Sequence, residues 1–107
     1  MKVLTRSEEM LLLSILRLKD NAFSLTILKE INQRIGKKLT IGSLWVSLDS
    51  LHRKGYIEKR MAGETPAKGG RKKVFYSLTP SGAKILRNTR EFQKSLWKGA
   101  ERQLKKI

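Results

Sequence analysis

The sequence predicts a mainly α-helical chain with one small β-hairpin, and three observations carry that prediction. Apolar residues recur at helical spacing in three successive stretches between residues 10 and 51. The period then drops to two on either side of a glycine-rich turn. Finally, a Thr-Pro pair opens a last helical stretch rich in lysine and arginine. A length of 107 residues provides for one hydrophobic core.

Thr5 and Glu8 have the spacing of a capping box, so a first helix starts there and carries Met10, Leu11, Leu12, Leu13, Ile15, Leu16 and Leu18. Asp20 and Asn21 interrupt it. Ser24 is placed to cap a second helix, whose Leu25, Ile27, Leu28, Ile31 and Ile35 keep helical spacing up to Gly36. Thr40 opens a third, in which Ile41, Leu44, Trp45, Leu48 and Leu51 form one apolar stripe that ends before Gly55. Its other face carries Gly42, Ser43, Val46, Ser47, Ser50, Arg53 and Lys54, short and uncharged through the first two turns.

Tyr56 to Met61 reads as a strand, Ala62 to Gly70 as a loop, and Val74 to Leu78 as the returning strand. Thr79 then caps a helix with Pro80 at its first position, where the missing N–H costs nothing. Three helices followed by a hairpin is the order of the winged helix-turn-helix, here with a C-terminal helix appended. The expected division is residues 1–79 for the winged unit and 80–107 for the helix. Run to the C-terminus, that helix would hold about 27 residues and be roughly 40 Å long.

Lys and Arg number 24 against 9 Asp and Glu, a formal charge of +15 that points to a polyanionic partner. No apolar run reaches the roughly 18 residues of a spanning helix, and Glu8 and Glu9 precede the first apolar stretch, so neither a signal peptide nor a membrane anchor is expected. With no Cys and one His, His52, the chain lacks the parts of a thiolate metal site, a cysteine nucleophile or a catalytic triad. Neither enzyme activity, metal nor cofactor is expected, and a reducing cytoplasm suits the composition.

The constellation with most to say is the small-faced third helix followed by a basic hairpin. In a helix-turn-helix protein the third helix enters the major groove, where Thr40, Gly42, Ser43, Val46, Ser47 and Ser50 permit close approach to double-stranded DNA, with Arg53 further along. Lys37 and Lys38 precede it. Trp45 is expected to pack its ring inside while its indole N–H reaches a phosphate. At the hairpin tip Lys68, Arg71, Lys72 and Lys73 are candidates for phosphate contacts. The alternatives are non-specific nucleic-acid binding, or a winged module that binds protein and leaves this face solvated.

Thr40, Ile41, Gly42, Ser43, Leu44 and Trp45, followed by Leu48, Leu51 and Gly55, resemble the reading helix of PadR-like transcriptional regulators. Gly70 to Gly82 (GRKKVFYSLTPSG) is similar to that family's second wing strand and its Leu-Thr-Pro-x-Gly entry into the last helix. The resemblance runs over residues 4 to 86. It implies a prokaryotic winged-helix regulator, usually a repressor, that dimerises through its C-terminal helix and binds a palindromic operator; the short C-terminus matches the compact branch with a single such helix. The chain departs from the pattern where Trp45 replaces a Tyr, Ser50 a basic residue, His52 a Glu, and Ser24-Leu25 a Gly-Tyr.

Ile85, Phe92, Leu96, Trp97, Ala100 and Leu104 make an apolar series that a chain this small cannot cover alone, so a second copy is expected to bury it across a two-fold axis. The same resemblance implies that a flat apolar effector could stack between the two Trp97 rings. Residues 81–107 also hold eight basic and two acidic side chains. Paired in a dimer, those charges repel unless they face flanking DNA or an acidic partner.

Overall fold

A computed structural model describes residues 2–36, 38–63 and 72–107, with the side chains of Ile35 and Lys72 outside that description. Helices α1 (Arg6–Leu18), α2 (Ser24–Ile35) and α3 (Ile41–Arg53) precede strands β1 (Ile57–Gly63) and β2 (Lys72–Leu78), and helices α4 (Pro80–Trp97) and α5 (Ala100–Lys105) follow. This is the winged-helix order expected from the sequence. Among the described residues, no helix is long and apolar enough to cross a membrane.

Helix α1 begins on the expected capping box: the Thr5 hydroxyl accepts the Glu8 N–H at 3.2 Å, and the Glu8 carboxylate accepts the Thr5 N–H at 2.9 Å. Leu11, Leu12 and Ile15 of α1 enter the core with Ile27 and Ile31 of α2, Leu44, Leu48 and Leu51 of α3, and Ile57 and Ile85. Full burial of each such side chain stabilises the fold by about 1.5–3 kcal/mol. Leu25 was expected on the buried face of α2 but is 64% exposed, because it lies in the first turn with Ile27 facing the core instead.

The start of α2 also differs from expectation. Ser24 is its first helical residue, Phe23 holds the cap position, and the Thr26 hydroxyl accepts the Phe23 N–H at 3.0 Å. Phe23 thereby joins the sheet, pairing antiparallel with Phe75, while the neighbouring Ala22 carbonyl accepts the Tyr76 N–H at 2.8 Å. The hairpin is longer than predicted, pairing from Ile57↔Leu78 out to Gly63↔Lys72.

Thr79 caps α4 as expected, accepting the Gly82 N–H at 3.0 Å, and its hydroxyl donates to the Gly55 carbonyl at 2.6 Å. Gly82 is needed there because a Cβ would overlap the Tyr56 carbonyl oxygen. Further along, the Thr89 hydroxyl accepts the Leu4 N–H at 2.9 Å and donates to the Ile85 carbonyl at 2.8 Å. The C-terminal helix is not continuous. It breaks at Lys98–Gly99, where Gly99 adopts φ 81° in the left-handed region that favours glycine.

The radius of gyration is 16.6 Å, against about 13 Å for a compact chain of this length. The extents of 64 × 29 × 21 Å fit a compact winged unit with an arm formed by the end of α4 and by α5.

Gly82→Ala is expected to destabilise the fold by about 2 kcal/mol or more, since the obstacle is backbone rather than a movable side chain. Gly42→Ala, where a Cβ meets nothing within 4 Å, is the control and should gain up to about 1 kcal/mol of helix propensity. Urea denaturation of both variants measures the difference; equal midpoints would remove the constraint assigned to Gly82.

Candidate nucleic-acid interface

The turn into α3 is built from the side chain of Asn32, whose amide oxygen accepts the Leu39 N–H at 2.8 Å and whose amide nitrogen donates to the Leu39 carbonyl at 3.3 Å. Gly36, in the left-handed conformation, ends α2 just before it. Thr40 then caps α3, accepting the Ser43 N–H at 3.2 Å and donating to the Ser43 hydroxyl at 3.0 Å. With Leu44, Leu48 and Leu51 buried, the opposite face is held outward.

On that face Thr40, Gly42, Ser43, Val46 and Arg53 are exposed, and Ser47 and Ser50 are half-buried. Trp45 corrects the sequence reading. It is 57% exposed rather than packed in the core, because Leu44 and Leu48 fill the interior and leave the indole at the edge of the stripe. Asp49, which composition did not single out, is exposed between these residues and holds the Arg53 guanidinium at 3.1 Å. It places an acceptor able to meet a cytosine amino group among donors suited to phosphate or guanine.

Lys38 is exposed immediately before the helix. Lys37, Lys68 and Arg71 lie outside the described residues, as does the Lys72 side chain. Lys73 is exposed, with its ammonium 4.4 Å from the centre of the Phe23 ring. Phe23 meets Phe75 edge-on at 5.5 Å, and the Arg60 guanidinium sits 5.0 Å over Phe75. Arg60 and Phe75 are register partners, so cation, ring, ring and cation share the outward side of the sheet. Sequence reasoning missed Arg60 and Phe23. The period-two spacing of Glu58, Arg60 and Ala62 could have disclosed the first; the second depends on a sheet pairing far away in the chain.

Burial, reinforced by the charge of Asp49 on α3, pushes the Tyr76 phenol up. A salt bridge ties the end of α3 to α1. Lys54, just past α3, meets the Glu8 carboxylate at 2.6 Å. Burial alone would raise the Glu8 carboxyl, but hydrogen bonds from Lys54 and Thr5 outweigh it and hold the group below its ordinary value; the same contact raises Lys54.

The residues expected at a dimer seam separate into three groups. Ile85 is 8% exposed and belongs to the core, since it faces the winged unit from the covered part of α4. Phe92 and Leu96, 38% and 62% exposed, continue the same face of α4 beyond the region the unit covers. Trp97, half exposed, stands about 100° round the helix from Leu96 and lines an open groove between α4 and α5 with Arg90, Lys94, Lys98, Arg102 and Lys105. Ala100 and Leu104 are exposed on α5, past the break. A flat apolar effector at Trp97 would therefore meet cations on this chain, and apolar cover would have to come from a second copy.

An outward α3 with short side chains, beside a wing faced with arginine and lysine, defines a winged-helix DNA-binding unit. The chain belongs to the PadR-like family of transcriptional regulators, whose model matches residues 12–88. It is thus a DNA-binding transcription regulator and not an enzyme. Among solved structures it is similar to a PadR family transcription regulator from Clostridium difficile, at 24% identity over 92% of this chain and 95% of that one, with a TM-score of 0.65. A PadR-like transcription factor from Bacteroides fragilis matches at 20% identity over 90% and 87%, with a TM-score of 0.72. A PadR family transcriptional regulator from Eggerthella lenta matches at 17% over 92% and 84%, with a TM-score of 0.70. These likenesses show the shared fold. No protein of curated function matches the chain.

The pairing of Glu8 with Lys54 sets a pH dependence. A carboxyl held below its ordinary value contributes stability that is fully present above that value and is lost as pH falls through the lowered one. Lys54→Met should therefore cost up to about 1 kcal/mol at neutral pH, because the pair is partly exposed. The difference from wild type should close as pH falls below the ordinary carboxylate range. Chemical denaturation at several pH values checks this; a difference independent of pH would show that the pair carries no linkage.

Proposed function

We propose that the chain is a homodimeric, sequence-specific repressor that presents α3 to the major groove of each operator half-site and lays its wing along the neighbouring phosphates. The observation that carries this reading is the outer face of α3. Val46 is 70% and Trp45 57% exposed on a helix whose opposite side is fully buried, and the short side chains around them leave room for base edges. Phe92 and Leu96 support pairing, since an isologous contact between two copies would cover both apolar groups at once. Two α3 helices related by a two-fold axis read a palindrome, and a dimer seated on promoter DNA represses by occupying it. The setting is the cytoplasm, with the host's DNA as ligand.

A gel shift against random duplex, single strand and the region upstream of the gene tests the reading: binding strongest to the upstream duplex is expected, and no duplex binding at moderate salt would overturn it. Ser43→Leu and Ser47→Leu should each reduce operator preference over random duplex by about tenfold, the scale of one lost base-pair readout. Lys73→Ala should weaken both ligands alike and lower the salt slope by about one.

The dimer is tested separately by Leu96→Glu, which puts a charge at the centre of the proposed seam. Sedimentation should show a wild-type dimer and a monomeric variant, and a monomeric wild type would refute the pairing.

A further inference from the structure

Helix α4 separates its charges from its apolar groups. At about 100° per residue, Ile85, Thr89, Phe92 and Leu96 share one face. Lys84, Arg87, Arg90, Lys94 and Lys98 recur every three or four residues on the other, all of them exposed. Among the described residues, only Lys94 of these five has a carboxylate within 4.0 Å, that of Glu91 at 3.4 Å. Beyond the break at Gly99, Arg102 and Lys105 of α5 line the same open groove as Arg90, Lys94 and Lys98, and Arg6 of α1 joins them, around a space of about 1140 Å³. Glu101 is the one carboxylate lining it among the described residues.

We propose that this stripe and groove form a second duplex-DNA surface, sequence-independent and separate from α3 and the wing. The inference rests on the reading of the chain as a DNA-binding regulator, and it adds a surface which that reading does not use. Cations spread from residue 84 to residue 98 span about 21 Å of helix. A small anion would meet two or three of them and leave the rest facing one another. Duplex DNA carries one charge per about 1.7 Å of its axis and meets the whole array. The groups are long flexible lysines and arginines with charged tips in solvent, suited to phosphates and not to base edges. Pairing two arms in a homodimer doubles the local positive charge, and a bound polyanion offsets the repulsion. The phosphates come from the flanks of the duplex held by α3, or from a second duplex brought to the other side of the dimer.

The test neutralises the arm while leaving α3 and the wing intact. Arg90→Gln, Lys94→Gln, Lys98→Gln and Arg102→Gln are combined in one variant, with thermal unfolding and sedimentation confirming fold and assembly. The single variants Arg90→Gln and Lys98→Gln serve if the combination does not fold. Fluorescence anisotropy with a random 60-bp duplex over a range of KCl concentrations should show the slope of log affinity against log salt falling by about 0.9 for each neutralised contact. Preference for the upstream region over random duplex should be unchanged. The companion variant Ser43→Leu should do the reverse, losing preference and keeping the arm's share of the slope.

An unchanged slope in the arm variants overturns the proposal and leaves the role of α3 standing. No effect of Ser43→Leu beside a reduced slope in the arm variants leaves the arm standing and removes the assignment of α3. Loss of poly-glutamate binding without loss of duplex binding would assign the surface to an acidic protein and also overturn the proposal. Capture of a labelled duplex on an immobilised one identifies the second-duplex source. A slope difference confined to long duplexes, without such capture, identifies the flanks.

Discussion

Thr79 accepts the Gly82 N–H and donates to the Gly55 carbonyl, and the absence of a side chain at Gly82 lets α4 settle against the Tyr56 carbonyl. The Thr79 N–H donates to that same carbonyl at 3.0 Å. Through these few atoms the turn that ends α3, the end of the wing and the start of the C-terminal helix become one rigid junction. The angle between α3 and the arm is set there. In the proposed dimer, a second copy paired through the arm has its α3 placed by this junction, so a backbone packing constraint far from the outer side chains of α3 would bear on the spacing of the two helices.

The two ends of α3 are held by different means. At its start, a hydrogen-bonded asparagine and a threonine cap determine where the helix begins and leave its first turn outward. At its end, the Lys54–Glu8 pair joins it to α1. Between them, three buried leucines fix the rotation of the helix about its axis, and that rotation selects which side chains face solvent. The wing uses a different device. Two phenylalanines from distant segments stack edge to face and carry a cation on each side, so Arg60 and Lys73 are located by ring contacts while their charged tips stay in water.

Much of this was legible without coordinates. Caps are local signals, because a threonine hydroxyl accepts the free N–H three residues on in any context; the starts of α1, α3 and α4 follow from Thr5, Thr40 and Thr79. The helical period of Ile41, Leu44, Leu48 and Leu51 located α3 and its outer residues. Errors arose where a residue lies at the border of a stripe. Trp45 and Leu25 satisfy helical spacing yet sit outside the core, since periodicity records the mean direction of a face and not its width. The cap of α2 lies one residue earlier than Ser24 because Phe23 is held there by sheet pairing with Phe75.

Sequence by itself therefore determined the order of elements, the starts of three of the helices, the family and the sign of the charge, all consequences of neighbours within a few positions along the chain or of composition. Tertiary structure alone decided which apolar residues are covered, because coverage depends on where neighbouring elements stop. Ile85 and Leu96 share one face of α4, and only the reach of the winged unit buries the first and exposes the second. It also decided that Trp97 stands among cations, since Lys98 leaves the helical conformation and the left-handed Gly99 then starts α5 beside the groove. The apolar series from Phe92 to Leu104, continuous when read along one helix, is divided by the conformations of those two residues.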